Sequence, residues 1–287
     1  MENAKYIHTV EIHNTRAAEE IVPVLMEWFH PVSVVDVGCG LGTWLNVFKQ
    51  NGAKEILGID GNHLDTTLLA INRDEVLLTD LEEEFGISRK FDLAISLEVA
   101  EHLSPDSADR FIESLTKLSD IIIFSAAIPN QGGQNHLNEQ WIGYWESRFA
   151  KHDFVFTDEI RPLFWNNENI DWWYKQNMVI AIKKGIPAPF RNIKPPLNLV
   201  HPDLLELKNW IMNNMSETIK TNYSYIADLE NEKEWQKKEN SRLKTKTAEV
   251  ESELKTIYDS MTWKLANRLV ISPANKIRKF LDALKTG

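Results

Sequence analysis

The sequence predicts an α/β protein with a doubly wound, mostly parallel sheet, followed by a long C-terminal helix. Short β-branched runs alternate with segments long enough for helices, which is the pattern of βαβ units. Three glycines at alternate positions, Gly38, Gly40 and Gly42, follow the first such run, where a strand would turn tightly into a helix. The stretch from Leu204 to Met261 contains neither glycine nor proline and alternates charges of both signs, which favours a continuous helix.

The first predicted elements are a helix over residues 16–29, where apolar residues recur at helical spacing, and a strand over 33–37. Further strands are predicted at the runs EILGID, EVLLTD, FDLAIS and IIIFSA. Because helical segments separate these runs, we expect a parallel sheet covered on both faces. The later runs DFVFTD and MVIAIKK are predicted to close one edge as an antiparallel pair, across a loop that holds several tryptophans.

Composition shifts predict four segments along the chain. The first is an α/β domain over residues 1–185, and the second is a linker over 186–203, where repeated prolines remove backbone donors and disfavour helix. A coiled-coil helix is predicted over 204–262. The remaining segment, 263–287, carries six basic residues and one acidic residue among regularly spaced apolar side chains. This basic amphipathic tail suits an anionic membrane surface or an acidic partner, or it caps the coil.

A heptad pattern underlies the coiled-coil prediction. With Ile219 at position a, the apolar seam residues are Ile226, Leu254 and Met261 at a, with Leu229, Leu243, Val250 and Ile257 at d. Polar residues interrupt the seam at Asn222, Lys233, Gln236, Asn240 and Thr247. The pattern predicts a homo-oligomer, either a dimer or a trimer; the alternative is a solvated single helix.

Charge and cysteine content limit the partners and the compartment. The chain has 287 residues, is 43% hydrophobic and carries a net charge of -10, which disfavours nucleic acid as a partner. The lone Cys39 excludes an internal disulfide, and the polar beginning lacks the apolar core of a secretory signal. These features predict a cytoplasmic protein, with peripheral attachment at the inner membrane surface through the basic tail as an alternative.

The segment VVDVGCGLGTWL, residues 34–45, is the strongest local motif. Its glycines let the backbone approach a ligand at the carboxyl end of a strand, although the spacing alone is weak evidence. Asp60 ends the second predicted strand, where a carboxylate can accept hydrogen bonds from ribose hydroxyls, and Asp80 follows the third. These acids could instead cap helices. A nicotinamide enzyme is disfavoured, because Asp36 would place negative charge beside a pyrophosphate.

Together these residues resemble the class I S-adenosylmethionine-dependent methyltransferases over roughly residues 32–183. The resemblance implies a Rossmann-like methyltransferase sheet with S-adenosyl-L-methionine as cofactor. It further implies that the loop from Asp36 to Gly42 holds the methionine part of the cofactor, and that Leu97 lies near it. Asp60 would bind the ribose, and Asp80 with the Leu81 backbone the adenine. The implied cofactor-binding residues are Asp36, Gly38, Gly40, Gly42, Asp60, Asp80, Leu81 and Leu97.

The segment SLEVAEHL, residues 96–103, follows the fourth predicted strand, and His136 follows the fifth. If the turn is helical, Glu98, Glu101 and His102 project from one face. A hydroxyl acceptor must lose a proton, which a histidine base or a coordinated divalent cation can promote. We therefore predict His136, His102 and Glu101 as catalytic residues, with His136 as the acceptor-side base or as a ligand.

The pairing of E-x-x-E-H with H-x-x-E-x-W resembles the small-RNA 3′-terminal 2′-O-methyltransferases, whose corresponding residues ligate magnesium. The ubiquinone-pathway O-methyltransferases have a similar first segment. By this resemblance, Glu98, Glu101, His102 and His136 would hold Mg²⁺ or Mn²⁺. Similar E-H pairs also occur in methyltransferases that need no metal, where the glutamate caps a helix or orients a histidine.

Aromatic residues are dense between Trp141 and Tyr174. We expect the helix that carries Trp145 to pack on the sheet, and Trp165, Trp172 and Trp173, on a predicted loop, to face the acceptor pocket, where Asn138, Gln140 and Arg161 would bond sugar hydroxyls. These segments resemble bacterial methyltransferases associated with surface-polysaccharide biosynthesis, and the tail resembles the ends of polysaccharide glycosyltransferases. The resemblance implies O-methylation of a sugar hydroxyl of a glycan or glycan precursor, with glycan-synthesis enzymes as partners. The alternatives are an RNA terminal 2′-O-methyltransferase and a non-catalytic scaffold for such enzymes.

Overall fold

The computed structural model describes residues 14–62, 64–190 and 195–284, without the side chains of 270–274, 280, 283 and 284. The first thirteen residues of the predicted α/β domain, residues 191–194 of the predicted linker and the last three of the predicted tail lie outside the described residues. The chain forms two compact units, Met1–Asn209 and Trp210–Gly287.

In the described part of the first unit, seven strands form one sheet in the order β3-β2-β1-β4-β5-β7-β6. The strands are β1 Ser33–Val37, β2 Glu55–Asp60, β3 Val76–Leu78, β4 Leu93–Leu97, β5 Ile121–Ser125, β6 Phe154–Thr157 and β7 Val179–Lys183. Strands β1 to β5 pair in parallel, whereas β7 runs antiparallel to both β5 and β6. The predicted fold class and the antiparallel edge pair are confirmed.

Helices cover both faces of the sheet. The first unit contains α1 Arg16–Phe29, α2 Thr43–Gln50, α3 Ala108–Leu118, α4 Ile142–Ala150, α5 Ile160–Phe164 and α6 Trp172–Asn177. One apolar cluster packs α1, α2 and α5 on one face, and a second packs α3 and α4 on the other. The core side chains Trp145 and Phe149 of α4 are buried, as expected for that helix.

The topology places the candidate residues at one edge. In parallel strands the carboxyl ends meet at the same edge of the sheet, where open α/β sheets bind ligands. Leu97 at the end of β4 pairs with Ser125 at the end of β5, so the segments that follow both strands begin side by side. Because β7 is antiparallel to β5, the residues just before β7 also reach this edge.

Two local predictions were wrong. Residues 98–102 do not form one α-helical turn, because Glu98 has a left-handed backbone (φ 56°) and only Ala100–His102 forms a 3-10 turn. Trp172 and Trp173 lie in α6 rather than on a loop. Asp171 precedes α6 with an extended backbone, and its carbonyl accepts a hydrogen bond from Tyr174 N.

Two long helices follow the linker. Helix α7 covers Pro202–Asp259 and α8 covers Met261–Leu284. At the start of α7, still inside the first unit, His201 and Leu204 are buried. Within the described ranges, no helix combines the length and the apolar character needed to cross a membrane.

Candidate active site

The glycine loop after β1 is held tightly from two sides. Gly38 has φ 82°, and a Cβ there would collide with the side chain of Val99 from the segment after β4. The Gly40 amide donates to Asp60 Oδ2 at 2.6 Å, while Gly38 N donates to the Ile59 carbonyl at 2.7 Å. Because of the contact with Val99 and the positive φ, only a glycine fits at position 38. The two hydrogen bonds hold the loop against the end of β2.

Two carboxylates lie under this loop. Asp36 and Asp60 are each 4% exposed. Burial, with a further contribution from the charge of Asp60, raises the pKa of Asp36 well above its ordinary value. Both oxygens of Asp60 accept backbone hydrogen bonds, from Gly40 and from Gly61. Burial and the neighbouring carboxylate thus disfavour the ionised form of Asp36, and a cationic ligand beside it would favour that form.

The remaining predicted cofactor residues line the same edge. Asp80 follows β3 and is exposed, with Oδ1 accepting from Glu82 N. Leu81 is buried, and Leu97 at the end of β4 is half-buried. Together with the loop that carries Gly42 (φ 74°), these residues follow or end strands β1 to β4, which are adjacent in the sheet.

Three of the four predicted metal ligands converge. Ligand atoms of Glu101, His102 and His136 all lie within 4.8 Å of one another. The two imidazole rings pack edge to face with centroids 4.8 Å apart. Glu101 is completely buried (0% exposed), and among the described residues neither of its carboxylate oxygens has a hydrogen-bond partner. Burial first, and then the charge of Glu98, raise the pKa of Glu101 well above its ordinary value.

Backbone contacts bring His136 to this cluster. The amides of Leu137 and Asn138 both donate to the Glu101 carbonyl, at 2.7 and 2.9 Å. The His136 ring lies against Gly133, where an added Cβ would overlap the ring at Nε2. The segment after β5 is thus folded onto the turn after β4, so residues far apart in sequence share one site.

Glu98 lies in a different environment from the other three. Its Oε2 accepts from Gln131 Nε2 at 2.9 Å, and Asn177 Nδ2 lies 3.0 and 3.1 Å from its two oxygens. Burial raises the pKa of Glu98, and these hydrogen bonds oppose the rise. Sequence reasoning missed Gln131 and Asn177, because no local pattern links them to Glu98.

Glu139 is a further residue that the motif contains but to which sequence reasoning assigned no role. Its Oε1 lies 2.9 Å from His136 Nδ1 and accepts from Gly132 N, while Oε2 accepts from Asn130 N. Although burial opposes it, the hydrogen bonds from His136, Gly132 and Asn130 hold the pKa of Glu139 below its ordinary value. The H-x-x-E spacing was the signal that could have identified it.

Aromatic side chains gather near Glu98. Tyr174 packs against Trp44 with ring centroids 5.4 Å apart and against Trp173 at 5.9 Å. Burial, and then the nearby charge of Glu98, raise the pKa of Tyr174. Trp44 lies in the first turn of α2, the helix that follows the glycine loop, so Tyr174 of α6 contacts that helix.

The polar residues expected around a sugar have different surroundings. Arg161 is 2% exposed; its guanidinium pairs with Asp158 and donates to the Gln176 carbonyl at 3.0 Å. Asn138 is buried and accepts from Gln140 at 3.0 Å. Arg161 therefore stabilises the segment before β7 and, contrary to our expectation, is not exposed for binding sugar hydroxyls.

One curated relative shares part of the sequence. The mitochondrial ubiquinone biosynthesis O-methyltransferase of Dictyostelium discoideum is 27% identical over 132 residues. The match covers 40% of this chain and 39% of that protein, so less than half of the relative is represented.

Solved structures with a similar fold are also methyltransferases by name. The sugar N-methyltransferase from Streptoalloteichus has a TM-score of 0.49 at 11% identity, covering 63% of this chain and 95% of that chain. The magnesium protoporphyrin IX methyltransferase from Synechocystis, with bound SAH, has a TM-score of 0.44 at 17% identity, covering 63% and 90%.

The sequence profile of the methyltransferase domain matches residues 10–175, which is more than half of the chain. The matched region includes the glycine loop, Asp60, the turn after β4 and His136. The predicted enzyme class, with S-adenosylmethionine as cofactor, is confirmed, and the chain belongs to the methyltransferase domain family.

Proposed function

We propose that this methyltransferase O-methylates a sugar hydroxyl of a glycan or glycan precursor, with a divalent cation assisting at Glu101, His102 and His136. The observation that carries the proposal is the convergence of these three side chains within 4.8 Å at the sheet edge that also bears the glycine loop. Methyl transfer requires mainly that donor and acceptor are held in line, and this edge can hold both.

On the cofactor side, we assign the methionine part to the loop that contains Asp36, Gly38, Gly40 and Gly42, with Leu97 beside it. Asp60 would bind the ribose, and Asp80 with Leu81 the adenine. When bound, S-adenosylmethionine supplies the methyl group on a positively charged sulfur. The buried carboxylate of Asp36 favours a cation nearby, which supports this placement.

The cluster after β4 and β5 fits a hard or borderline divalent cation. A buried carboxylate whose oxygens have no partner among the described residues is costly unless a proton or a cation neutralises it, and Glu101 is such a group. One carboxylate and two imidazoles suit Mn²⁺ better than Mg²⁺, because Mg²⁺ prefers oxygen ligands, but the set can bind either ion. A cation held there would lower the pKa of a coordinated hydroxyl. Glu98 would join as a fourth ligand only if it released its amide donors.

We propose that His136 either accepts the proton of the acceptor hydroxyl or ligates the cation. Its Nδ1 faces the ionised Glu139, which orients the ring. His102 and Glu101 complete the catalytic group. A neutral imidazole with a carboxylate behind it is suited to accept a proton from a hydroxyl.

The sugar acceptor is supported by the aromatic residues at this edge. Trp172, Trp173 and Tyr174 begin α6, and none of the three is fully buried. Flat rings with polar edges stack on the apolar face of a sugar. The mitochondrial relative acts, by name, in ubiquinone biosynthesis as an O-methyltransferase, which supports oxygen as the attacked atom.

We further propose that the chain is a cytoplasmic homo-oligomer. The exposed apolar positions of α7 support association between helices, and the net charge of -10 disfavours nucleic acid as a partner. We propose that the basic tail over residues 263–287 binds either glycan-synthesis enzymes or an anionic membrane surface. We also propose that the α/β domain covers residues 1–185, the linker residues 186–203 and the coiled-coil helix residues 204–262.

A labelled-methyl transfer assay against nucleotide sugars, oligosaccharides and short RNAs tests the function. We expect transfer to a carbohydrate, loss of activity in excess chelator and recovery with Mg²⁺ or Mn²⁺. Transfer to RNA alone would show that the acceptor is RNA and not a sugar. Full activity in excess chelator would show that no cation is needed and would leave His136 as the base. No transfer together with no binding of S-adenosylmethionine by calorimetry would favour the scaffold alternative.

The matched variants are His136→Gln and His152→Gln. His152 follows α4 on the way to β6, away from the sheet edge that carries the cluster. The first variant should lose activity by about 100-fold or more, as expected for removal of a general base or ligand. The second should retain it.

A further inference from the structure

Helix α7 displays an apolar stripe that its own chain leaves uncovered in the described structure. The helix is 58 residues long, or about 87 Å at roughly 1.5 Å per residue. Seven seam residues are each 45–54% exposed: Ile219, Ile226, Leu229, Leu243, Val250, Leu254 and Ile257. Most helical stability in proteins comes from packing an apolar face, so a helix of this kind requires a partner.

The charges beside the stripe identify that partner. With Ile219 at position a, the g positions of successive heptads are Glu232, Glu239 and Lys246, and the e positions that follow them are Lys237, Lys244 and Glu251. In a parallel in-register coiled coil, each g residue faces the e residue of the next heptad on the other helix. The facing pairs are then Glu232 with Lys237, Glu239 with Lys244, and Lys246 with Glu251. All three pairs are of opposite sign.

This complementarity lies within one sequence. A helix that carries both halves of every pair is complementary to a second copy of itself, in the same direction and without a shift. Among the residues that the structure describes, the contacts of these side chains are exposed and lie within the helix, such as Glu239 with Arg242 at 3.4 Å and Gln236 with Glu232 at 3.2 Å. Exposed contacts of this kind contribute little stability and are easily exchanged.

The seam residues of the first half of the heptad region favour two strands. Ile219 and Ile226 at position a combine with Leu229 and Leu243 at d, which is typical of a two-stranded parallel coil, whereas Leu254 at a with Ile257 at d is typical of more strands. The choice of two strands therefore depends on the centre of the helix. Asn240 occupies an a position near the centre of the charged region. A buried asparagine pair at a is satisfied when the two copies are in register, and it costs stability when they slip.

We infer that α7 pairs with α7 of a second copy as a parallel, in-register, two-stranded coiled coil whose direction and register are set by the three g–e charge pairs and Asn240. The inference extends the proposed oligomer by its partner, direction and register. It does not depend on the methyltransferase chemistry, because no residue of the catalytic site takes part.

Disulfide trapping in the full-length protein tests direction and register. The native cysteine, Cys39, is buried, so an introduced cysteine reports on α7. Leu229→Cys and Ile257→Cys lie at d positions four heptads apart, and Thr245→Cys at an outward f position is the control. We expect each d variant to form a disulfide-linked dimer with itself at low oxidant, and the control to stay unlinked. Cross-linking only when the two d variants are mixed would show an antiparallel pair and overturn the inference.

Charge reversal tests the recognition. The variant Glu232→Lys/Glu239→Lys/Lys246→Glu places like charges in all three pairs and should be monomeric by light scattering at micromolar concentration. Mixing it with Lys237→Glu/Lys244→Glu/Glu251→Lys should restore a heterodimer. The control Glu234→Lys/Lys238→Glu/Glu249→Lys makes the same net change at outward positions and should stay dimeric. A trimeric mass for the natural protein, or no effect of the reversal, would contradict the inference whatever the outcome of the methyl transfer assay.

Discussion

Glu139 Oε1 lies 2.9 Å from Nδ1 of His136. Because hydrogen bonds keep the pKa of Glu139 below its ordinary value, the carboxylate is ionised and must accept the hydrogen bond. Nδ1 of His136 therefore carries the proton of this hydrogen bond. The same carboxylate accepts from the amides of Asn130 and Gly132, so it also shapes the loop that presents the imidazole.

Glu139→Gln should lower methyl transfer by about 10- to 100-fold, the usual effect of losing a group that orients a catalytic or ligating histidine. The glutamine cannot accept from His136, Gly132 and Asn130 together, because one of its ends is a donor. Steady-state kinetics and the pH profile check this. The exposed Glu168→Gln is the control, and an unchanged pH profile in Glu139→Gln would contradict the assigned role.

Gly133→Ala should displace the His136 ring, since the added methyl group overlaps it. We expect a loss of activity of about 10- to 100-fold, because small misplacements of catalytic groups have effects of this size. Gly143→Ala in α4 is the matched control, where a Cβ meets no atom within 4 Å. Equal activity of the two variants would show that the ring position is not critical.

Gly38→Ala should weaken binding of S-adenosylmethionine in calorimetry by tenfold or more, since about 1.4 kcal/mol suffices for tenfold. The alanine is strained at φ 82° and collides with Val99, and it lies in the loop to which we assign the methionine part of the cofactor. Gly52→Ala carries a similar backbone strain at φ 110°, with only Met26 Cε at 4.0 Å. This control should lose stability, by about 1 kcal/mol, but keep its affinity. Equal affinity in both variants would be the contrary result.

Asp36→Asn should stabilise the ligand-free protein at pH 8 and much less at pH 5. The folded-state pKa of Asp36 is raised by burial and by Asp60, so the natural protein loses stability as pH rises from the unfolded value, about 3.9, through the folded one. At a pH above both pKa values, each unit by which the folded-state pKa exceeds the unfolded one lowers the free energy of unfolding by about 1.4 kcal/mol. Thermal unfolding at several pH values measures this. The exposed Asp74→Asn is the control, and a stabilisation independent of pH would contradict the explanation.

The sequence by itself determined the strands and their order along the chain, helix α1, the position of the glycine loop and the heptads of α7. These features follow from local periodicity and from residue types, such as glycine, whose backbone preferences act within a few residues. The shared sheet edge was predictable too, because carboxyl ends of parallel strands must meet there.

Only the tertiary structure decided which acids and imidazoles come together. Glu98 and Glu101 are three residues apart, yet the left-handed backbone at Glu98 directs its carboxylate to Gln131 and Asn177, while Glu101 joins His102 and His136. Such partners come from loops distant in sequence, and their meeting depends on backbone turns and long-range hydrogen bonds. A periodic pattern carries no information about those contacts.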